Sequence, residues 1–188
     1  MTTLLPRNAE RRSLKAIAAL LSFSVLAGCV QSAAPILADA KPLLGENVRF
    51  HHYDLRDGFA HDPDSSEFHW DGARYVGTVG QSKDAMAFTV FALDDRDFVI
   101  QNAPTKKDVP IDYAIARKLA DGVYLTFLIE EKDTDEATRA KFCVEHTDAT
   151  CTVVEREGLI AFARASAAKL RDTGGLAIRI ADDKADNK

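Results

Sequence analysis

The sequence predicts an α+β fold in which an antiparallel β-sheet meander of about seven to nine strands carries one C-terminal helix packed on it. Two observations predict the sheet. Runs of β-prone residues follow one another between residues 48 and 129, and Asp-Gly pairs stand at 57–58, 71–72 and 121–122. Asp-Gly between such runs favours a tight hairpin turn, because glycine adopts positive φ without steric cost. The third observation is an amphipathic stretch over residues 156–172, which predicts the helix.

The predicted strands are defined by alternating or continuous apolar side chains that lie between turn residues. Ile111, Tyr113 and Ile115 share one face, as every second residue of a strand does. Residues 123–129 are apolar on both faces, which predicts a central strand. The full set of predicted strands covers residues 48–55, 67–70, 73–79, 85–93, 97–100, 111–117, 123–129, 151–154 and 176–180.

The helix predicted over residues 156–172 has a stripe of apolar and small side chains that begins with Leu159. A Gly-Gly pair at 174–175 follows the stripe and predicts the end of the helix. A shorter helix is predicted within the charged segment 132–141, with Thr134 as its N-cap.

The first 28 residues have the composition of a secretory signal peptide. Arg7, Arg11, Arg12 and Lys15 make the start positive, and an apolar run over residues 16–27 follows. A run of about a dozen residues is too short for a helix that crosses the hydrocarbon core, which needs roughly 20 residues. The segment is therefore predicted to direct export and to be removed.

The end of this segment resembles the lipobox of bacterial lipoproteins, because Leu26, Ala27, Gly28 and Cys29 match all four positions in their preferred form. The resemblance implies cleavage before Cys29 and acylation of Cys29, with palmitate among the acyl chains. More than one chain is needed for stable anchoring. The mature protein would then be held in the bacterial cell envelope and face the periplasm. Because residue 30 is Val rather than Asp, the outer membrane is favoured over the inner membrane.

On this basis the chain divides into a signal peptide (1–28), a flexible tether (29–44), a single α+β domain (45–181) and a disordered tail (182–188). The 160 residues that remain after cleavage are enough for one domain with its own core. They carry 20 basic and 28 acidic side chains, a formal charge of −8. This charge disfavours binding to nucleic acid and leaves the lipid as the contact with the membrane.

Two cysteines remain once Cys29 is assigned to the lipid. They are Cys143 and Cys151, with seven residues between them. In an oxidising compartment such a pair predicts a disulfide, which the chain-entropy model values at roughly 2–3 kcal/mol for so short a loop. Two free buried thiols are the alternative.

Histidines are concentrated in one part of the chain, where His51, His52, His61 and His69 fall within 19 residues. Adjacent residues of a strand point to opposite faces, so His51 and His52 do not readily share one ion. His51, His61 and His69 are therefore the candidate ligands for zinc or copper. Exposed polar residues on strands would give the same pattern, and this second interpretation is favoured.

Motifs of known catalytic sites do not occur in the sequence, including G-x-S-x-G, H-E-x-x-H and a phosphate-binding glycine loop. Ser166 and Lys169 have the S-x-x-K spacing of penicillin-binding enzymes, but the companion S-D-N and K-T-G segments are missing. A packing role in the helix is therefore favoured for Ser166. Aromatic side chains on the strands favour a packed core, with the lining of a ligand pocket as the alternative: Tyr53, Phe68, Trp70 and Tyr75.

These observations favour a lipid-anchored, non-catalytic envelope protein without a cofactor, which binds an envelope protein partner or supports envelope assembly. Many strands, then a helix, then a short strand, behind a lipobox, are also similar to a bacterial lipocalin. That resemblance implies a carrier of an apolar ligand. Residues 45–47 depart from the family, because lipocalins have Trp two residues after a Gly in the first strand. A metal-binding protein that uses the histidines is the third hypothesis.

Overall fold

The structure, a computed structural model, describes residues 29–54, 60–61, 65–79, 85–104, 109–146, 150–169 and 175–179 of the 188-residue chain. Within these ranges it contains twelve strands, two α-helices and one 3₁₀ turn over Glu131–Asp133. The strands are β1 (Cys29–Ser32), β2 (Asn47–Asp54), β3 (Ala60–His61), β4 (Ser66–Trp70), β5 (Tyr75–Val79), β6 (Met86–Ala92), β7 (Asp97–Asn102), β8 (Ile111–Ala120), β9 (Val123–Leu128), β10 (Glu145–His146), β11 (Thr150–Thr152) and β12 (Gly175–Arg179). The helices are α1 (Glu136–Phe142) and α2 (Arg156–Ala168).

Eight of the strands close into an antiparallel barrel. Their order around the ring is β8-β7-β6-β5-β4-β2-β12-β9, and β9 pairs again with β8. From β4 to β9, neighbours in the sequence are also neighbours in the ring, which confirms the predicted antiparallel meander. The closure goes beyond that prediction, because it depends on the pairing of β12 with both β2 and β9, strands that are distant from it in the sequence.

The register of the strands determines how wide the barrel is. A line perpendicular to the strands starts at residue 112 of β8 and passes once round the ring. It returns to the extended line of β8 twelve residue positions further along, so the barrel has a shear of twelve residues. An eight-stranded barrel with a shear of eight has a tilt of roughly 36° and is filled by its own side chains. A shear of twelve raises the tilt to about 45° and the cross-section by roughly a third. The barrel interior is correspondingly wider.

Side chains on the two faces of the barrel wall form two separate apolar cores. Alternate residues point inwards and form the inner core, whose buried members are Val48, Phe50, Phe68, Tyr75, Phe88, Val90 and Ala177. Outward-pointing residues of β7, β8 and β9 pack beneath α2, β1 and β11. This outer core contains Val30, Leu37, Val99, Ile111, Tyr113, Ile115, Leu125, Phe127, Ile129, Cys151, Val153, Leu159, Phe162 and Ala163. The two cores share the wall of the barrel.

Residues 29–44 belong to the domain, which corrects the expectation of a flexible tether. Strand β1 pairs with β11 in parallel and with the first residues of β8. The hydroxyls of Ser32 and Tyr113 share a hydrogen bond of 2.6 Å, and the Gln101 side-chain oxygen accepts the backbone N–H of Leu37 at 3.0 Å. The small residues and prolines of the segment favoured a tether, but these buried polar contacts hold it against β7 and β8.

Two of the predicted Asp-Gly turns are confirmed, and the third, at 57–58, lies outside the described residues. Gly72 has φ 101° between β4 and β5, and Gly122 has φ 72° between β8 and β9. A different constraint acts at Gly77, where an added Cβ would lie 1.8 Å from the backbone oxygen of Glu67. Strand β5 therefore crosses so close to β4 that any side chain at Gly77 is excluded.

The predicted C-terminal helix and the predicted disulfide are both confirmed. Helix α2 covers Arg156–Ala168 with Lys169 as its C-cap, so it ends four residues before the predicted end at residue 172. Gly175, one of the two glycines predicted to stop the helix, begins β12. Cys143 and Cys151 form a disulfide that joins the end of α1 to β11. The predicted signal peptide and C-terminal tail lie outside the described residues, and no helix within the described ranges is long and apolar enough to span a membrane.

The shorter helix begins later than predicted. Helix α1 starts at Glu136, and its N-cap is Asp135, whose carboxylate accepts the backbone N–H of Thr138 at 2.8 Å. The predicted cap Thr134 instead ends the preceding 3₁₀ turn, where its hydroxyl donates to the backbone oxygen of Glu131 at 2.7 Å. Thr134 and Asp135 are both of residue types that favour the N-cap. Asp135 caps the helix because Thr134 already ends the 3₁₀ turn.

A largely buried ion pair fixes α2 against the barrel wall. The Arg117 guanidinium on β8 donates to both carboxylate oxygens of Asp97 on β7, at 2.7 and 2.6 Å. It also donates to the backbone oxygen of Ala167 in the last turn of α2, at 2.5 Å. Each charged group is hydrogen-bonded, as buried charges require.

Candidate functional site

The candidate site is the interior of the barrel. Its lower end is defined by the turns at residues 71–74 and 121–122, and the opposite end is the upper end. Strand pairings and a tilt of about 45° assign each inward residue to a level along the barrel axis. From bottom to top, these levels are an aromatic floor, a layer of small residues and a partly polar rim.

The aromatic floor fills the lower half of the interior. It consists of Phe50, Phe68, Trp70, Tyr75, Phe88, Phe98 and Tyr124. Trp70 meets Tyr75 edge to face with ring centroids 5.2 Å apart, and Phe68 meets Phe88 in the same way at 4.9 Å. Such ring pairs contribute stability beyond the area that they bury. The lower half is therefore a packed core.

Residues 44–46 close the lower end of the barrel. The hydroxyl of Tyr75, a fully buried residue, accepts the backbone N–H of Leu44 and donates to the backbone oxygen of Gly45, each at 2.9 Å. Burial raises the pKa of Tyr75, and the N–H of Leu44 opposes this rise. The hydroxyl thus stays protonated as a donor and holds residues 44 and 45 across the lower end.

Small side chains form the level above the floor. This small-residue layer consists of Ser66 on β4, Ala114 on β8, Thr126 on β9 and Ala177 on β12. Strands β4 and β8 lie opposite each other in the ring, so Ser66 and Ala114 face each other across the axis. Ala114 and Thr126 point inwards yet are only half-buried. Ala114 and Thr126 are therefore covered less tightly than the buried residues of the floor, and His52 on β2 points inwards beside them, on the same face as Phe50.

The hydroxyl of Ser66 is the most informative atom of this layer. Ser66 is 0% exposed, and its Oγ has no hydrogen-bond partner within the described part of the chain. Its neighbours in the register are Phe50 and Val79, which are apolar. A buried hydroxyl left without a partner costs roughly 1–3 kcal/mol, so Ser66 marks a position where an external polar atom would be stabilised.

The rim at the upper end combines apolar and polar side chains. Its half-buried members are Val79, Met86, Asn102, Asp112 and Leu128. Burial raises the pKa of Asp112, and no hydrogen bond or opposite charge from the described residues offsets the effect. The rim thus contains a carboxylate that is partly removed from water and not neutralised.

Two of the three histidines that the sequence offered as metal ligands, His51 and His69, are not brought together. His51 and His69 lie on the outer face of β2 and β4, and His69 pairs with Asn47, four positions away from His51. That offset is roughly 13 Å along the strand, too far for one ion. His61 lies in β3 opposite Tyr53, and its side chain is outside the described set.

One group of three metal-ligand side chains does occur within the described ranges. Glu131, Cys143 and Cys151 have ligand atoms within 4.8 Å of one another. Both sulfurs form the disulfide, and metal binding requires thiolates. This group therefore serves the fold and is not a metal centre.

Ser166, which has the S-x-x-K spacing with Lys169, lies in a buried hydrogen-bond network. Its hydroxyl donates to an Asp133 carboxylate oxygen at 2.8 Å and accepts the backbone N–H of Glu130 at 3.1 Å. Lys169 is on the outer side of this network, 3.3 Å from the same carboxylate. Because Ser166 is fully buried, its hydroxyl joins α2 to the 3₁₀ turn and does not meet a substrate.

A surface depression of about 410 Å³ lies at the lower end of the barrel, lined by residues 94–97 and Arg117. Asp97 and Arg117 are paired with each other. The Asp94 carboxylate accepts the backbone N–H groups of Arg96 and Asp97 at 2.8 Å, and these two bonds lower the pKa of Asp94. The charges of the depression thus hold the β6–β7 turn.

The sequence interpretation missed Ser66, Ala114 and Asp112 as site residues. It did single out Phe68, Trp70 and Tyr75, which lie in the inner core as the favoured interpretation required, whereas Tyr53 points to the outer face of β2. A small or polar residue at every second position of an otherwise apolar strand is a usable signal, but it is read correctly only once the register is known.

Comparison of the chain with protein-family models, with curated proteins and with solved structures finds no match. The functional argument therefore rests on the geometry of the barrel interior.

Proposed function

We propose that this protein binds a small apolar ligand in the upper half of its barrel. The observation that carries the proposal is the small-residue layer, which stands between an aromatic floor and a half-buried rim and contains the unpartnered hydroxyl of Ser66. Ligand sites are concave and mostly apolar, with a few polar groups that orient the ligand. The upper half of this barrel combines apolar side chains with a few polar groups, and this combination supports the proposal.

The binding free energy would come mainly from apolar surface. A ligand that enters through the rim contacts Val79, Met86 and Leu128, then Ala114, and reaches the floor. Burial of apolar surface contributes roughly 25 cal/mol per Å². A hydroxyl or carbonyl at the inner end of the ligand would satisfy Ser66 and remove the cost of its unmade hydrogen bond. This is the carrier that the lipocalin resemblance implied, and we favour it over a protein-binding module.

Two adjacent residues of β4 provide a matched test, because Ser66 points inwards and Glu67 points to solvent. Ser66→Phe fills the space of the small-residue layer, and Glu67→Phe adds the same ring outside the barrel. The probe is N-phenyl-1-naphthylamine, a neutral apolar dye whose fluorescence rises in an apolar site. We expect saturable binding by the wild type, at least tenfold weaker binding by Ser66→Phe, and wild-type affinity for Glu67→Phe.

Equal affinity of Ser66→Phe and the wild type would overturn the proposal, as would the absence of saturable binding by the wild type. Because Ser66→Phe could disturb folding, Val79→Phe at the rim and its outward neighbour Thr78→Phe form a second matched pair. Loss of binding in both inward variants, with near-wild-type circular dichroism in either one, supports a site inside the barrel.

We also propose that the protein is anchored in the bacterial cell envelope by acyl chains on Cys29, as the lipobox implies. Strand β1 begins at Cys29, and Gln31 pairs with Asp112 at the rim. A lipid at Cys29 would therefore hold the upper end of the barrel close to the membrane surface. Burial raises the pKa of the unmodified Cys29 thiol to about 11, which disfavours a redox or catalytic role for it.

Membrane fractionation of the exported protein tests the anchor. Wild type is expected in the membrane fraction, with the outer membrane favoured because residue 30 is Val. Cys29→Ala is expected in the soluble fraction of the envelope. Recovery of both proteins in the same fraction would refute lipid anchoring at this residue and would leave the ligand-binding proposal untouched.

A further inference from the structure

We infer that the ligand of the barrel is a cationic amphiphile, whose positive head group lies at Asp112 while its chain occupies the small-residue layer. This inference rests on the proposed function. Asp112 belongs to β8, two residues before Ala114 and on the same inward face, so roughly 7 Å separates a head group at the rim from the small-residue layer.

The first argument is the state of the carboxylate. The Asp112 side chain is half-buried, and within the described residues it makes no hydrogen bond and no ion pair. Most buried carboxylates are paired with a cation or hydrogen-bonded. A ligand ammonium group would provide the missing partner at a position that the ligand must pass.

The second argument is the charge of the surroundings. Among the described residues, the charged groups that act on Cys29 together with Asp112 are Glu130 and Lys132. Lys132 is bound to Glu130 at 2.5 Å, so its charge is already used. The formal charge of the whole chain is also negative, −5. An anionic head group such as a carboxylate would be repelled at the same place.

The third argument is the position of the two polar groups along the axis. Ser66 lies deep, at the level of Ala114, and can meet only a short neutral group at the inner end of a ligand. Asp112 lies at the entrance, where a charged head can keep part of its hydration. Apolar surface between the two levels accommodates the chain. A single chain with a cation at its outer end matches this order.

Three amphiphiles with the same hexyl chain, whose length matches the roughly 7 Å between the rim and the small-residue layer, test the inference: hexyltrimethylammonium, hexanol and hexanoate. Each is titrated into the protein below its micelle concentration, at neutral pH and low salt, by calorimetry. We expect the affinity to fall from cation to alcohol to carboxylate, with roughly tenfold between the first and the last. Asp112→Asn is expected to remove this order, and Asp112→Glu to keep it.

Asp95→Asn is the matched control, because Asp95 is an exposed carboxylate at the lower end of the barrel. It removes one negative charge from the protein and is expected to preserve the order of affinities. Equal affinities in the wild type, a preference for the carboxylate, or an order that persists in Asp112→Asn would overturn the inference. In each case binding of the hexyl chains leaves the proposed apolar site intact, whereas failure of all three amphiphiles and of the neutral dye would refute the proposed function itself.

Discussion

The outer core beneath α2 and the inner core of the barrel share the same wall, yet their side chains are buried to different degrees. In the outer core, Val99, Ile115, Leu159 and Phe162 are each 0% exposed. In the inner core, Ser66 and most residues of the floor are buried, whereas Ala114 and Thr126 above the floor and the inward-pointing residues of the rim are only half-buried. One face of the wall is thus packed as a protein interior, and the other is packed only in part.

This difference suggests how a barrel can be packed less tightly in the upper half of its interior and remain stable. Tight packing of the outer core, together with the aromatic floor, supplies the apolar burial that folding requires. The upper half of the interior therefore does not have to be tightly packed for the protein to fold. The comparison predicts that substitutions in the outer core reduce stability, whereas substitutions at the small-residue layer and the rim act chiefly on binding.

The largest expected effect is that of Phe162→Ala in α2. Phe162 is fully buried in the outer core, and loss of its ring should lower the free energy of unfolding by about 3–5 kcal/mol. Urea denaturation followed by circular dichroism measures the change. Ile160→Ala on the same helix is the control, because Ile160 is only half-buried and should cost less than half as much. Comparable losses in the two variants would show that the outer core does not carry the stability.

Loss of the disulfide is expected to have the next largest effect. The double variant Cys143→Ala with Cys151→Ala opens a short loop next to the outer core, and the chain-entropy model predicts a loss of about 2.5 kcal/mol. Dye binding at saturation should be unchanged, because neither cysteine faces the barrel interior. A loss of dye affinity in a folded double variant would contradict the separation of the two cores.

Part of this architecture was predictable from the sequence because it depends on local chemistry. The turns at Gly72 and Gly122, helix α2 and the pairing of Cys143 with Cys151 all leave short-range signals. Closure of the ring leaves none, since β12 must meet β2 and β9 across long stretches of chain. Local periodicity indicates that a segment is a strand and does not indicate its neighbours.

The candidate site could not be predicted for the same reason. Ser66 appears in the sequence as a polar loop residue before a strand, and its inward position follows only from its pairing with Phe50 and Val79. Ala114 looks like one more apolar residue until β8 is placed opposite β4. The strand at Cys29–Ser32 was hidden by its proximity to the lipobox, whose small residues favour a flexible segment.

Ser66→Ala should have a smaller effect on the free energy of unfolding, and this effect should have the opposite sign. The variant removes a hydroxyl that is buried without a partner, so the free energy of unfolding should stay the same or rise by up to about 1 kcal/mol. Affinity for the neutral dye should be unchanged, because the proposed apolar contacts of the dye do not require the Ser66 hydroxyl. Clear destabilisation by Ser66→Ala would indicate that the hydroxyl is satisfied inside the folded protein.

Asp112→Asn is expected to have the smallest effect on stability. This effect can be recognised because it depends on pH. Burial raises the pKa of Asp112 in the folded protein above its usual value of 3.8, so the folded state holds the proton more firmly than the unfolded state. The wild type therefore loses stability as the pH rises from 3.8 through the raised folded value.

The Asn variant lacks this loss and should be the more stable protein at neutral pH, by a few tenths of a kcal/mol because the carboxylate is partly solvated. The difference should shrink as the pH is lowered and disappear below the usual aspartate value. Urea midpoints of both proteins across the acidic range measure it. A variant that is less stable than the wild type at neutral pH would mean that the Asp112 carboxylate is already neutralised in the free protein, and the rim would then have no unmet charge for a cationic ligand.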